Sequence, residues 1–198
     1  MQLLNAADYV SMPWANGRGT TLEIARFPAT GQWQWRLSLA TVSEDGPFSV
    51  MPGVQRSLVV AKGAGMGLTV AGQHIEVGEF GMVQFVGDDD TSCALVDGPV
   101  QDLNLMVRDD ARVGTFSVVA LDRGEPLVVT GTDCVVAVTV LRGSVTATTN
   151  AGPVPKMIIA HDRDTVLFGR SPSARDPAVT MSSSRGATVA VSTVRERQ

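Results

Sequence analysis

Apolar and polar side chains alternate at every second position through most of this chain, and almost no stretch repeats apolar residues at helical spacing. Successive side chains of a β-strand point to opposite faces, so this period predicts strands. The runs are short, regularly spaced and separated by turns rich in Gly and Pro. Such spacing is typical of a β-sandwich or barrel. We therefore predict an all-β fold.

Two of these runs, residues 33–40 and 102–108, carry hydrogen-bonding groups along one face and Trp, Leu or Val along the other. The polar positions are Arg36 and Ser38 in the first run and Asp102, Asn104 and Arg108 in the second. Asp and Asn are depleted in strands, so such a row needs an explanation. It is either a solvated outer face or a polar pocket inside a β-barrel.

Composition and charge exclude several classes of partner. The 198 residues suffice for one large or two small domains with a sizeable core. The net charge of −4 gives no basic stripe for nucleic acid. No apolar run reaches the roughly 18 residues of a membrane span, and the N-terminus lacks the basic and apolar regions of a signal peptide. We expect a cytoplasmic protein that binds neither nucleic acid nor membrane.

The residues suited to metal binding are few. His74 and His161 are the only histidines, and neither has a second His or Cys at ligand spacing. We therefore expect no metal site and no other cofactor. Cys93 and Cys134 lie far apart in strand-like runs, which predicts inert buried thiols and no disulfide framework.

The chain contains an internal repeat of one strand pattern. Residues 58–86 and 138–168 both read as strand, Gly, strand, turn and strand, which suggests a duplicated β-domain. We place the junction near residue 109 and predict domains over 1–108 and 109–198. Residues 170–186, rich in Ser, Arg, Pro and Ala, read as a long loop before the last strand.

A Gly-rich turn at Asn16-Gly17 leads into a strand whose Thr21 and Glu23 share one face. A phosphate-binding loop is excluded, because no helix follows and the Gly-Lys-Ser/Thr ending is absent. The turn is either a close backbone approach over a pocket mouth or a plain hairpin. If Glu23 and Asp102 faced one cavity, they could form a general acid/base pair.

Five segments of the chain, taken in order, resemble the HutD/Ves family, which is associated with bacterial histidine utilisation. They are residues 14–24 (WANGRGTTLEI), 35–40 (WRLSLA), 45–49 (DGPFS), Pro52-Gly53 through Arg56, and 102–108 (DLNLMVR). No single segment is specific, whereas five in the family's order are. Two positions depart from the family pattern, since Ala15 replaces a usually basic residue and Arg18 a common Gly. The segments end at residue 108, and the second half carries no comparable motif.

The resemblance implies a bicupin, in which two small jelly-roll β-barrels or sandwiches follow one another in one chain, without the histidine-rich metal motif of typical cupins. It also implies binding of a small acidic catabolite, such as formylglutamate or a relative, that moderates flux through histidine breakdown. Buried arginines suit such a ligand because a guanidinium binds a carboxylate bidentately. The expected ligand-binding residues are Asn16, Thr21, Glu23, Arg36, Ser38, Arg56, Asp102, Asn104 and Arg108.

Three functions remain open. The leading hypothesis is a non-catalytic, metal-free protein that binds a small carboxylate metabolite, with Glu23, Arg36, Arg56 and Asn104 converging on one cavity. The second is a metal-independent enzyme, such as an isomerase or epimerase, that uses Glu23 or Asp102 as its base. The third is a structural or dimerisation module in which the polar row only fixes packing. A homodimer is compatible with all three.

Overall fold

A computed structural model of the chain describes residues 1–14, 19–108, 112–150, 154–169 and 178–197. These residues form β-strands and one short 3-10 helix, Ala6–Asp8, so the all-β prediction is confirmed. The strands are β1 (Gln2–Leu4), β2 (Val10–Pro13), β3 (Gly19–Phe27), β4 (Trp35–Val42), β5 (Gly46–Pro47), β6 (Val54–Lys62), β7 (Met66–Val70), β8 (Gln73–Val77), β9 (Met82–Val86), β10 (Thr91–Leu95), β11 (Val100–Arg108), β12 (Arg112–Leu121), β13 (Leu127–Thr130), β14 (Cys134–Thr149), β15 (Lys156–His161), β16 (Thr165–Gly169), β17 (Ala178–Ser182) and β18 (Ala187–Glu196).

The chain divides into two compact units. One comprises Tyr9–Gly114, and the other comprises Met1–Asp8 together with Thr115–Gln198. The predicted domains, 1–108 and 109–198, differ from these units at the N-terminus. Residues 1–8 belong with the C-terminal half because β1 pairs with β16 in antiparallel register. No periodicity within three residues could have predicted that long-range pairing.

The Tyr9–Gly114 unit is built from two antiparallel sheets. One has six strands in the order β2-β3-β4-β11-β6-β9, and the other has four in the order β5-β10-β7-β8. Leu58 and Val60 of β6 share a hydrophobic cluster with Met66 and Leu68 of β7. The two sheets therefore pack face to face as a sandwich.

The central strands β4 and β11 are buried on both faces. Leu37 and Leu103 on one face are each 0% exposed, while Ser38 and Asp102 on the opposite face are each 1% exposed. Of the two explanations for the polar row, the solvated outer face is therefore wrong for these strands. Their hydrophilic side chains lie inside the sandwich.

The second unit contains an eight-stranded sheet centred on β14. The sequence pattern over 138–168 predicted two strands separated by a Gly, but β14 runs continuously from Cys134 to Thr149 and shifts register between Val140 and Arg142. A β-bulge of this kind bends a strand without ending it, and the Arg142-Gly143 pair imitated a turn.

The internal repeat corresponds to a pattern of strand pairing that the two units share. In the first unit β6 pairs with β9 and β7 with β8. In the second unit the first half of β14 pairs with β16 and its second half with β15. Gly63 and Gly143 occupy the same point in each block, with φ angles of 113° and 88° that favour glycine.

The loop predicted over 170–186 is wrong in its second half. Ala178–Ser182 forms β17, which pairs with β13 and β14. Val179 and Met181 are buried while Ala178 and Thr180 face outward, so the strand alternation was present. The Ser- and Arg-rich composition around it concealed so short a run. Residues 170–177 lie outside the described part of the chain.

Within the described residues, the structure contains no helix that is long and apolar enough to span a membrane.

Candidate functional site

The Tyr9–Gly114 unit contains a half-open cavity of about 450 Å³ between its two sheets. Strands β4, β6 and β11 supply charged and polar lining residues, and β2, β3 and the segment after β5 supply further lining. The lining residues are Met12, Pro13, Trp14, Thr21, Arg36, Ser38, Ala40, Pro47, Phe48, Ser49, Met51, Arg56, Asp102, Asn104 and Met106. A cavity of this size, apolar with a few convergent polar groups, is typical of a small-molecule site.

Strand register explains why the two arginines face the same cavity. Met106 of β11 stands opposite Arg36 of β4 on one side and Arg56 of β6 on the other. Neighbouring strands lie about 4.8 Å apart, so the two arginine backbones are roughly 10 Å apart in one cross-strand row. The next row along β11 places Asn104 opposite Ser38.

The Arg56 guanidinium contacts two neighbouring aromatic rings. Its central carbon lies 5.0 Å from the ring centre of Phe48 and 4.9 Å from that of Phe85, and the two ring centres are 6.4 Å apart. The rings therefore lie on adjacent sides of the cation and not on opposite sides. Arg56 is 8% exposed, and desolvation lowers the pKa of its guanidinium although Asp102 opposes that change. Both contacts are cation–π contacts that help to hold the guanidinium in place.

A side-chain amide links Arg56 to Asp102. Arg56 Nη2 donates to Asn104 Oδ1 at 3.2 Å, and Asn104 Nδ2 in turn donates to Asp102 Oδ1. Asp102 is 1% exposed, and burial raises the pKa of its carboxyl from 3.8 to about 7, against the opposing effects of Arg56 and Asn104. A β-bulge between Gln101 and Asp102 lies beside this position in the pairing with β6.

The other arginine is paired with an acid. Arg36 Nε lies 2.9 Å from Glu23 Oε2, with both side chains less than one-fifth exposed. The distance is that of an ion pair, although the Nε–H group is not aligned for a hydrogen bond. Arg36 Nη2 makes only a weak contact with Met12 Sδ, at 3.9 Å. Arg36 is also one of the residues that line the cavity.

Gly19, at the start of β3, packs closely against its neighbours, whereas the predicted Asn16-Gly17 turn lies outside the described residues. The Trp14 amide donates to Gly19 O at 2.9 Å, and Trp14 Nε1 donates to Thr21 Oγ1 at 2.9 Å. A Cβ atom at Gly19 would stand 2.4 Å from Thr41 O and 2.9 Å from the Trp14 ring. Gly19 therefore packs tightly against Trp14 and Thr41, next to the cavity that Trp14 and Thr21 line.

Six of the nine predicted ligand-binding residues line this one cavity: Thr21, Arg36, Ser38, Arg56, Asp102 and Asn104. Glu23 reaches it through its ion pair with Arg36. Asn16 lies outside the described residues. Arg108 has the correct strand parity but does not line the cavity, because it ends β11, where its guanidinium covers the Trp33 ring at 4.8 Å and Nε donates to Trp33 O at 3.0 Å.

Sequence reasoning missed most of the apolar lining. Phe48 and Ser49 follow the short strand β5, and Met12 belongs to β2, a short strand that was not predicted. The one available signal was the resemblance, which included residues 45–49 without assigning them a role. Met106 was on the polar face of its run and faces the cavity with Asn104.

The histidines and cysteines stand apart from this cavity's lining. His74 is exposed on strand β8, where Nε2 lies 2.6 Å from Glu76 Oε1. Burial raises the pKa of the thiols of Cys93 and Cys134, which are both free. Over the described ranges, no three His, Cys, Asp or Glu side chains cluster as metal ligands would.

The fold and the cavity define a cupin-like β-protein. Two solved structures have the same fold: a cupin 2 conserved barrel domain protein from Leptotrichia buccalis, with 12% identity, a TM-score of 0.64 and coverage of 98% of this chain and 96% of the other, and protein YlbA from E. coli, with 12% identity, a TM-score of 0.74 and coverage of 99% and 91%. The HutD family model matches residues 6–185, so the chain belongs to the HutD family.

Relatives within that family cover the chain to different extents. HutD from Pseudomonas fluorescens SBW25, solved in a formate condition, is 29% identical with a TM-score of 0.82 and covers 100% of this chain and 99% of its own. A protein of the hutC 3′ region of Pseudomonas putida is 43% identical over 109 residues, which is 54% of this chain and 57% of that protein. Protein Ves of Citrobacter koseri is 35% identical over 100 residues, covering 49% and 52%. The chain thus spans about half the length of the curated relatives it matches.

Proposed function

We propose that the Tyr9–Gly114 unit binds a small carboxylate metabolite in its cavity and acts without metal or cofactor. The observation that carries the proposal is the placement of Arg36 and Arg56 on either side of Met106, in one cross-strand row facing one cavity. Two guanidinium groups in a site of low dielectric attract an anion, and their planar N–H edges fit a carboxylate.

The hydrogen-bonding capacity of the arginines supports this function. Arg56 Nε is buried and has no hydrogen-bond partner among the residues that the structure describes. A buried donor without a partner costs roughly 1–3 kcal/mol, which an entering carboxylate oxygen would recover. Each charged hydrogen bond to the ligand then contributes roughly 1.5–3 kcal/mol. Ser38 adds a hydroxyl to the same wall.

The relatives suggest the metabolic setting. One is described as lying in the hutC 3′ region and another is a HutD solved in the presence of formate. We extend to this chain a role linked to histidine utilisation, with a ligand drawn from the acids of that breakdown. The binding protein would then respond to such an acid and moderate flux. A homodimer remains a prediction of the same proposal.

Calorimetry tests the binding function directly. Formate, glutamate, formylglutamate and urocanate are titrated into the wild-type chain and into Arg36→Gln and Arg56→Lys. Loss of one charged hydrogen bond predicts affinity weakened by about tenfold to a hundredfold in either variant. Arg123→Gln, an exposed arginine of the other unit, serves as the matched control and keeps wild-type affinity. Heat from none of the four acids, or equal affinity in all variants, would refute the proposal.

A second function, metal-independent proton transfer, is favoured by one specific observation. Asp102 lines the cavity and burial raises the pKa of its carboxyl to about 7, where a general acid or base works best at neutral pH. Glu23, the other candidate base, is held by Arg36 and is less suited. The cavity itself argues against a purely structural module.

Solvent deuterium exchange separates this second function from simple binding. An isomerase or epimerase that uses Asp102 would move deuterium from solvent into the carbon-bound position of a bound acid, detected by proton NMR. Asp102→Asn would abolish the exchange while leaving binding in place. If a bound acid shows no exchange or turnover after hours of incubation, the chain is a binding protein for that acid and not an isomerase or epimerase that acts on it.

A further inference from the structure

We infer that the cavity takes up its carboxylate ligand together with one proton, which Asp102 holds in the bound state. The inference rests on the proposed carboxylate-binding function and adds to it a chemical requirement for the bound state. Ligand binding would then be coupled to pH through Asp102, which lines the cavity. Asp102 need not contact the end of the ligand that the arginines bind. The cavity would favour acids when the surrounding solution is slightly acidic.

The geometry requires two acidic groups to share one small space. Asp102 lines the same cavity as Arg36 and Arg56, and it is 1% exposed. Its carboxylate accepts one hydrogen bond, from Asn104, and the Asn104 amide stands between it and Arg56. A ligand carboxylate that binds the arginines therefore brings a second negative charge close to Asp102. Like charges in a buried site favour protonation of one of them.

The other charged groups around Asp102 do not supply a spare counter-ion. Arg56 faces it from β6 through the Asn104 amide, and its positive charge is the one that the ligand would engage. Arg36 lines the cavity from β4 but is paired with Glu23 of β3. The Cys93 thiol of β10 is close enough for Asp102 to raise its pKa, and Asp45 acts on that thiol in the same direction.

The charge balance is consistent with this inference. Burial raises the pKa of Asp102 to about 7 in the unliganded chain. With Glu23 and Asp102 both ionised, the two acids cancel the two arginines and leave no net charge for an anion. With Asp102 protonated, one positive charge remains. The protonated carboxyl can also donate a hydrogen bond, which an ionised one cannot.

The coupling has a quantitative consequence. If the ligand binds only when Asp102 is protonated, affinity is constant well below pH 7 and falls by up to about tenfold for each pH unit above about 7. Carboxylic acid ligands ionise near about pH 4, so their own titration does not contribute in this range. At about pH 8 each binding event takes up close to one proton, and at about pH 6 almost none.

Calorimetry with formate as the probe tests the inference on the full chain. Formate is titrated at about pH 6 in MES and in Bis-Tris, and at about pH 8 in HEPES and in Tris, because the two buffers of each pair differ in the heat of giving up a proton. The difference between buffers counts the protons taken up with each formate. Asp102→Asn mimics the protonated residue, so it should bind formate equally at both pH values with no proton uptake. Asp97→Asn, an exposed acid of the same unit, should behave as wild type.

Each outcome has one meaning. Uptake near one proton at about pH 8 in the wild type, absent in Asp102→Asn, supports the inference. Formate binding without uptake at that pH overturns it and leaves the proposed function standing. Uptake that persists in Asp102→Asn overturns it too, because the proton then lies elsewhere. No binding of formate or the other acids at either pH overturns both proposals.

A measurement on the wild-type chain covers the case in which Asp102→Asn does not fold. Carbon-13 NMR of the aspartate carboxyls follows the resonance of Asp102, which should titrate near pH 7. Saturating formate should raise the pH at which that resonance titrates by about one pH unit or more. An unchanged titration in the presence of bound formate would overturn the inference.

Discussion

Asp102→Asn should make the stability of the Tyr9–Gly114 unit less dependent on pH. The pKa of Asp102 is about 7 in the folded chain and 3.8 for the unperturbed group, so the folded state holds this proton more tightly. The stabilisation from that proton is complete below pH about 3.8 and is lost as pH rises through about 7. A shift of about three pKa units corresponds to about 4 kcal/mol.

The tryptophans make the assay specific to one unit. All three, Trp14, Trp33 and Trp35, lie within Tyr9–Gly114, so their fluorescence reports the unfolding of that unit. Urea denaturation between about pH 4 and about pH 8 gives the free energy of unfolding of wild type and variant. Asn at position 102 keeps the acceptor for Asn104 and has no carboxyl to ionise. The stability of the variant relative to wild type should rise by up to about 4 kcal/mol across this range.

The control is Asp97→Asn, which removes the same charge from an exposed position of the same unit. Its stability should follow that of wild type at every pH to within about 0.5 kcal/mol. The argument from burial fails if the stability difference between Asp102→Asn and wild type is also independent of pH. Asp102 would then titrate alike in the folded and unfolded chains.

Three further predictions use other parts of the structure. Asn104→Val breaks the amide link and leaves Arg56 and Asp102 without their partner, so urea denaturation should give a loss of roughly 2–4 kcal/mol; a neutral effect would contradict the link. Arg108→Met should leave formate affinity within about twofold of wild type in calorimetry, because Arg108 covers Trp33 and does not line the cavity; a tenfold loss would place it in the site. The thiols of Cys93 and Cys134 are buried with raised pKa values, so a thiol reagent at about pH 8 should react slowly until urea unfolds the chain, and rapid reaction before unfolding would refute their burial.

The sequence predicted the strands of the site well because strand parity is a local property. The face shared by Arg36 and Ser38 follows directly from their spacing, and the same holds for Asp102 and Asn104. Parity cannot tell how far along a strand the cavity extends. Arg108 was therefore assigned to the site although β11 carries it past the cavity end, where the Trp33 ring and carbonyl bind it.

Long-range pairing was beyond the reach of a single sequence. Phe48 closes over Arg56 only because β5 pairs with β10 and brings residues 46–47 to that sheet. The contact between Phe48 and Arg56 thus depends on a register between segments more than 40 residues apart in sequence. The pKa of Asp102 likewise depends on burial by both sheets and could not be read from its neighbours in the chain.

Comparison of the two units indicates that the fold does not need the polar row. The Lys62-Gly63 and Arg142-Gly143 pairs align β6 with the first half of β14. On β6 and its partner β11, the cavity positions are Arg56, Asp102 and Asn104. By the same alignment and register, β14 and its partner β18 have Val136, Val189 and Val191 at the matching positions. These valines pack in or against the hydrophobic core of their own unit.

The same substitution can be made in the first unit. A triple variant with Arg56→Met, Asp102→Val and Asn104→Val replaces the whole network with apolar residues. Met is chosen at position 56 to fill the volume beside Phe48 and Phe85. Removing every member of a buried charged network at once is often neutral or stabilising by about 1–4 kcal/mol, whereas removing one member is costly. The triple variant should therefore unfold at a urea concentration equal to or above that of wild type at about pH 7, yet give no heat with formate. If the triple variant is less stable than Asn104→Val alone, the network stabilises the sandwich. Its polar residues would then have a structural role, and no ligand would be needed to explain their presence.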